Sequence, residues 1–164
     1  METTETRRRL AELYDGHGAG LYRYALVLVG REKDAEDVVH NVFARLAAQD
    51  GQLEGIRDAR PYLFRAVRNE AASLLRSRLR RRETSLDAAD YLVSAGLRVS
   101  DERRRRLSRA LDRLPAEQRE AVALHAFEGL TFAEMGGLLG ESPNTVASRY
   151  RLAVTRLTEW LREE

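Results

Sequence analysis

Side chains that can pair with nucleic-acid bases and phosphates gather on one face of a predicted C-terminal helix. Placing Val146 inward, at 100° per residue, puts Tyr150, Ala153 and Leu157 on the same apolar face. The opposite face and its flank then carry polar and basic side chains: Asn144, Thr145, Ser148, Arg149, Arg151, Thr155 and Arg156. In the DNA major groove, Asn pairs bidentately with adenine and Arg with guanine, while Ser, Thr and further Arg hold phosphates. The pattern predicts a DNA-reading helix, with an ordinary solvated helix of an α-hairpin as the alternative.

The residues before this helix predict how it is held. The segment Thr131–Glu134 has the spacing of a capping box, which starts a helix that Gly140 ends. Ser142 is expected to cap the next helix, with Pro143 at its first position, where the missing N–H costs nothing. A short helix, a Gly-containing turn and a longer helix make a helix-turn-helix, whose second helix enters the major groove. This context favours DNA binding over the solvated alternative.

A second basic surface is predicted on a helix in the N-terminal half. Positions 65–82 hold seven Arg against one Glu, a local net charge of +6, whereas positions 84–102 have a net charge of −3. Phasing this helix places a mainly basic side opposite an apolar face of Leu63, Val67 and Leu74. The residues on that side are Arg65, Arg68, Asn69, Ala72, Arg76 and Arg80. A solvated face is the alternative, but such faces normally interleave charge signs, so a polyanion partner is favoured. Tyr62 and Phe64 could stack on unpaired bases, although each alone is favoured as a core residue.

The fold class follows from helical periodicity along the chain and from the lack of strand alternation or hairpin turns. Gly30 is predicted to end one helix, Asp34 to cap the next, and Pro61 to open a third that runs to about Leu79. A further helical unit opens with Leu107, Ala110, Leu111 and Leu114. The chain is therefore predicted to be all-α. Two small helical domains are expected over 1–83 and 103–164, joined by an acidic linker over 84–102.

The composition excludes several classes of function. Cysteine is absent, which excludes disulfides, iron–sulfur clusters, thiolate zinc sites and cysteine nucleophiles. His17, His40 and His125 are scattered, and no metalloprotease, phosphate-loop or nucleophile-elbow motif occurs, so neither an enzyme, a cofactor nor a metal site is expected. His125 is predicted to be a satisfied core or boundary residue. No apolar run approaches 18 residues and the start of the chain is polar, so neither a membrane span nor a signal peptide is expected. The protein is expected to be cytoplasmic.

Three segments in order resemble the extracytoplasmic-function (ECF) group of sigma-70-type factors, the promoter-recognition subunits of bacterial RNA polymerase. DAEDVVHNVFARLAA (34–48) resembles the helix that binds core polymerase, and ARPYLFRAVRNEAASLLRSRLRR (59–81) the −10-element helix. LPAEQREAVALHAFEGLTFAEMGGLLGESPNTVASRYRLAVTRL (114–157) resembles the −35-binding region. The order, spacing and total length carry the resemblance, since no single motif decides it.

The resemblance implies a role for each segment. Four residues on the 34–48 helix are expected to dock on the β′ coiled coil of core polymerase: Asp37, His40, Asn41 and Arg45. The loop 51–59 matches the segment that captures a flipped −10 base. The −10 strand is expected to be held by Arg65, Arg68, Asn69 and Arg76, and the −35 element to be read by Asn144, Thr145, Ser148, Arg149 and Arg151. Core RNA polymerase (through its β′ coiled coil and β flap), promoter DNA and an anti-sigma factor are the implied partners.

This sequence departs from the family pattern at several positions. His40 and Asn41 stand where Gln-Glu is common, Ser73 where Asp is common, and Ala147 where a phosphate-binding Lys is frequent. Glu141 occupies a turn position that is usually apolar. These departures leave open a sigma mimic that sequesters an anti-sigma factor without initiating transcription. A plain helix-turn-helix repressor is a third hypothesis, which leaves the 34–82 pattern unexplained.

Overall fold

The computed structural model describes residues 2–49, 53–81 and 101–163, and across these ranges every regular element is helical. The all-α prediction is confirmed. The chain divides into two compact units, Met1–Ser85 and Leu86–Glu164. The segment 84–100, where most of the acidic linker was predicted, lies outside the described residues.

Three helices form the first unit: α1 (Glu2–Val29), α2 (Glu32–Ala48) and α3 (Ala59–Arg81). Each of the three packs against the other two. Gly30, at φ 77°, ends α1 as predicted, because a left-handed residue stops the helix and glycine adopts it without strain. The largest fully buried side chains of these helices include Leu21, Tyr24, Val38, Leu63 and Val67.

The start of α2 differs from the prediction. Its N-cap is Arg31, in an extended conformation and without a side-chain cap, so Asp34 lies inside the first turn and does not cap the helix. The Asp34 carboxylate instead lies 3.5 Å from Nη1 of Arg78, a residue of the basic run that turns inward and is buried. The same Nη1 donates a hydrogen bond to the carbonyl of Val29, the last residue of α1. A buried arginine from α3 therefore joins the end of α1 to the start of α2.

The third helix matches its predicted position, with one difference at its surface. It begins at Ala59, so that Pro61 falls in the first turn, and it runs slightly past Leu79. Phe64 is buried against Tyr24, with ring centroids 5.4 Å apart, as its assignment to the core requires. Tyr62 is exposed, so the preference for a core position there is wrong.

The second unit contains α4 (Asp101–Arg113), α5 (Ala116–Val122), a π-helical segment (Ala123–Phe127), α6 (Phe132–Leu139) and α7 (Pro143–Glu163). The last helix packs against α4, α5 and α6 and forms the centre of the unit. His125 lies at the boundary, as predicted: its Nδ1 is 2.7 Å from the carbonyl oxygen of Leu130, and its ring stacks on Phe132 at 4.2 Å. Fully buried residues include Leu111, Leu124, Leu130, Met135 and Val146.

The predicted caps of the second unit are present. The Thr131 hydroxyl accepts a hydrogen bond from the backbone N–H of Glu134 at 3.1 Å, and the Glu134 carboxylate accepts from the backbone N–H of Thr131 at 3.0 Å. Gly140, at φ 68°, ends α6. The Ser142 hydroxyl accepts from the backbone N–H of Thr145 at 3.1 Å, and α7 begins at the residue after Ser142. The helix-turn-helix prediction is confirmed as a structure.

Candidate nucleic-acid interface

The orientation of α7 agrees with the phase predicted from its sequence. Val146, Ala153 and Leu157 are buried and Tyr150 is half-buried, so the apolar face packs into the unit. The opposite face is exposed at Asn144, Ser148, Arg151 and Thr155. The Thr155 hydroxyl donates to the backbone carbonyl of Arg151 at 2.9 Å, which leaves the first three as the outward-facing groups of this face.

A close approach at Gly136 sets the position of α7 relative to α6. A Cβ atom at this residue would stand 2.7 Å from the carbonyl oxygen of Glu141 and 3.2 Å from the backbone nitrogen of Pro143. Real Cβ atoms essentially never come within 3.0 Å of a heavy atom that is remote along the chain, so only glycine lets the turn fold back this tightly. The backbone N–H of Glu141 also donates to the carbonyl of Gly136 at 3.0 Å. The turn is therefore fixed before α7 begins.

Two of the predicted −35 residues have partners within the chain. Arg149 is only 24% exposed, and its Nη2 donates to the Glu141 carboxylate at 3.0 Å, while its Nε lies 3.6 Å from a Glu117 oxygen. The Thr145 hydroxyl lies 2.8 Å from the Ser142 hydroxyl, inside the cap. Sequence reasoning missed the Glu117 and Glu141 contacts, although the unusual acid at position 141 was the available signal.

Ala147, which stands where a phosphate-binding Lys is frequent in the family pattern, is buried on the inner side of α7. Its methyl group faces other protein atoms, and the absence of a phosphate contact at this position stays a prediction. Two apolar residues farther along α7, Leu152 and Val154, are exposed.

The outer side of α3 carries the predicted −10 residues. Arg65, Asn69 and Arg76 are exposed, and Arg68 is half-buried. A groove between α2 and α3 is lined by side chains that can contact a nucleotide: Arg45, Gln49, Tyr62, Arg65 and Asn69. Two of the predicted −10 residues, Arg65 and Asn69, therefore line the same groove as Arg45 and Gln49 of α2.

The polar face of α2 is exposed at all four predicted polymerase-binding residues: Asp37, His40, Asn41 and Arg45. Two of them also contact α3 through one carboxylate. Glu70, whose side chain is 14% exposed, accepts from Asn41 Nδ2 at 3.2 Å and from Arg45 Nη2 at 2.6 Å. Sequence reasoning missed this role of Glu70, because a lone acid in a basic run has no local signal for a partner on another helix.

The described part of the loop before α3 is anchored at both ends. Leu53 is buried, and Arg9 from α1 donates to the carbonyl of Ile56 at 3.2 Å. The Asp58 carboxylate accepts from the backbone N–H of Arg60 at 3.3 Å, at the start of α3. Residues 51 and 52 of the predicted base-capturing loop 51–59 lie outside the described residues.

Within the described ranges, no group of three or more His, Asp or Glu side chains is placed to hold a metal ion. In the same ranges, no helix is long and apolar enough to cross a bilayer.

Comparison with known proteins identifies the family to which both halves of the chain correspond. The family model for sigma-70 region 2 matches residues 13–82, and the model for sigma-70 region 4 matches residues 104–157. The ECF RNA polymerase sigma factor SigL of Mycobacterium tuberculosis is 35% identical over 158 residues, which cover 92% of this chain and 88% of SigL. The chain belongs to the ECF sigma factors. As a family member it is an alternative sigma factor and not an enzyme.

Solved structures show the same architecture as this ECF sigma factor. The sigma factor RpoE of Bartonella quintana, solved in complex with the anti-sigma factor NepR, is 26% identical, with a TM-score of 0.69 over 93% of this chain and 95% of that one. CnrH, solved with the cytosolic domain of CnrY, is 23% identical, with a TM-score of 0.71 over 99% of this chain and 96% of that one. At this identity the likeness supports the fold alone. A plain helix-turn-helix repressor does not account for the region 2 match over 13–82.

Proposed function

We propose that this ECF sigma factor divides promoter recognition between its two units in the cytoplasm: α7 reads the −35 element as duplex, and α3 holds one melted strand of the −10 element. The observation that carries the proposal is the exposed polar face of α7, presented by a fully capped helix-turn-helix. We assign the −10 and core-binding unit to 1–83, the linker to 84–102 and the −35 unit to 103–164.

At the −35 element, Asn144, Ser148 and Arg151 are the outward groups of α7. Asn144 lies at the N-terminal end of the helix, where recognition helices contact base edges. Arg151 can pair with guanine and Asn144 with adenine, while Ser148 suits a phosphate or a base edge. Thr145 and Arg149 belong to the same surface, with their side chains already oriented by partners in the chain.

At the −10 element, Arg65, Arg68, Asn69 and Arg76 contact the backbone of the captured strand. Melting costs stacking of about 1.4 kcal/mol per base-pair step, whereas stacking a captured base on an aromatic side chain returns about 1–3 kcal/mol. Tyr62 is exposed beside Arg65 in the groove and can supply such a platform. Strand capture can therefore offset melting without covalent chemistry from this chain.

For assembly, α2 supplies the surface that meets the β′ coiled coil of core polymerase. Asp37 and His40 are exposed on this surface. Asn41 and Arg45 belong to the same surface, and each also donates a hydrogen bond to Glu70. The second unit meets the β flap. The RpoE relative was solved with an anti-sigma factor, which supports an anti-sigma partner for this chain as well.

Replacing Arg151 with alanine tests the −35 assignment. With holoenzyme and a promoter library randomised in the −35 region, transcript sequencing should show a lost preference at one base pair, worth about 1–3 kcal/mol of discrimination. Arg162→Ala is the control, since it removes the same charge from an exposed position at the far end of α7. Equal preference in the Arg151 variant and the control would refute the assignment.

A further inference from the structure

We propose that Glu141 is a positioning residue that sets −35 specificity: it holds the Arg149 guanidinium toward a base edge and discourages contact with phosphates. The inference rests on the proposed function of α7. It concerns an acid in the turn directly before α7, whose carboxylate accepts a hydrogen bond from Arg149 of that helix. A carboxylate beside a DNA-reading helix repels the phosphate backbone, so its presence there needs an explanation in terms of selectivity.

The backbone of Glu141 is fixed by the turn. Gly140, at φ 68°, reverses the chain, and the Glu141 N–H donates to the carbonyl of Gly136 at 3.0 Å. The same close approach that requires glycine at position 136 places the Glu141 carbonyl against α6. The carboxylate therefore projects from a rigid point two residues before α7 begins.

The guanidinium of Arg149 is held by acids at two of its three nitrogens. Nη2 donates to a Glu141 oxygen at 3.0 Å, and Nε lies 3.6 Å from a Glu117 oxygen. Among the described residues, Nη1 has no protein partner, so this end of the fork is available for a ligand. Because guanidinium donors lie in one plane, fixing one edge also fixes the direction of the remaining N–H groups.

The two acids contribute unequally. Glu117 is 71% exposed and lies at the longer distance, whereas Glu141 makes the hydrogen bond. Glu141 therefore accounts for most of the orientation. A restrained arginine pairs with one base edge at little cost in side-chain entropy, whereas a released arginine can reach any nearby phosphate. The carboxylate thus lowers affinity for DNA in general and raises the preference for one base pair.

The test compares holoenzymes that carry Glu141→Leu, Glu141→Gln or Arg149→Ala. Base-pair preference is read from transcripts of the randomised −35 library, and affinity for sheared non-promoter duplex from competition. Arg149→Ala should lose roughly 5- to 150-fold preference at one base pair, the range expected for a bidentate contact. Glu141→Leu should lose preference at the same base pair by at least about threefold and bind non-promoter duplex at least about threefold more tightly. Glu141→Gln, which keeps an acceptor without the charge, should fall between wild type and Glu141→Leu.

Glu159→Leu is the matched control. It removes an exposed carboxylate from α7, about 15 Å farther along the helix axis than Arg149 at 1.5 Å of rise per residue. It should leave base-pair preference unchanged, so a general effect of net charge is separated from positioning.

The outcomes separate the inference from the function on which it rests. Lost preference in Arg149→Ala but full preference in Glu141→Leu overturns the role of Glu141 alone. Parallel loss of promoter and non-promoter affinity in Glu141→Leu also overturns it, because that result is what damage to the turn would produce. Unchanged preference in Arg149→Ala overturns both the inference and the assignment of Arg149, while the assignment of Arg151 is judged by its own variant.

Discussion

Replacing Arg78 with methionine is expected to lower the free energy of unfolding of the first unit by about 3 kcal/mol. The arginine is buried, donates to the Val29 carbonyl at the end of α1, and lies 3.5 Å from Asp34 at the start of α2. Asp34 Oδ2 is buried and makes no hydrogen bond within the described residues, so the ion pair is its main compensation. Removing the arginine leaves a carboxylate and a helix-terminal carbonyl without their cation. Because the Asp34 side chain is 22% exposed, water reduces the penalty to the low end of the range for buried pairs.

Thermal unfolding of the full chain by far-UV circular dichroism measures this effect. At about 4–8 °C per kcal/mol for a unit of this size, the first-unit transition should fall by about 12–24 °C. Arg80→Met is the matched control, since Arg80 is exposed on the same helix. Val29 and Asp34 both belong to the first unit, so fluorescence of Trp160, the single tryptophan, should keep its midpoint in the same samples. Equal shifts for the two arginine variants would contradict the role of Arg78.

Replacing Gly136 with alanine should destabilise the second unit by about 1–3 kcal/mol, the range for overpacking in a close-packed site. The added Cβ would meet the Glu141 carbonyl oxygen at 2.7 Å, and that atom belongs to the backbone of the turn, which cannot rotate away as a side chain can. The helix-turn-helix must therefore open at the point that positions α7. Use of the −35 element should fall along with stability.

The neighbouring glycine supplies the control for this prediction. Gly137 is exposed in the same helix, and a Cβ there meets nothing within 4 Å, so Gly137→Ala should stabilise the unit by about 0.5–1 kcal/mol. Trp160 packs against the Arg113 guanidinium at 4.1 Å, so its fluorescence reports unfolding of this unit. Opposite shifts in the two fluorescence midpoints are expected. A stabilising Gly136→Ala would show that the close approach does not constrain the turn.

Features that depend on local chemistry could be predicted from the sequence. The capping box at Thr131, the left-handed ends at Gly30 and Gly140, and the cap at Ser142 all arise within a few residues of chain. The phase of α7 was predictable for the same reason, since helical geometry and one inward residue determine it. The residues on the exposed face of α7 could therefore be predicted from the sequence alone.

Features that depend on partners distant in sequence were not predictable. Asp34 looked like a cap because a short acid before an apolar stretch usually is one, but its position is determined by Arg78, brought to it by α3. Glu70 joins two α2 side chains, and Arg149 is held by acids from α5 and the turn. In each case the pairing depends on the crossing of helices, which single-helix periodicity does not contain.

The central claim, that the chain directs initiation by reading a −35 duplex and a −10 strand, is tested most directly by run-off transcription. Purified protein would be added to core RNA polymerase from its own source, with fragmented genomic DNA as template. The account predicts discrete new transcripts whose upstream regions share elements near −35 and −10. An absence of transcripts, together with an absence of binding to core polymerase, would contradict the account and favour a sigma mimic that sequesters an anti-sigma factor.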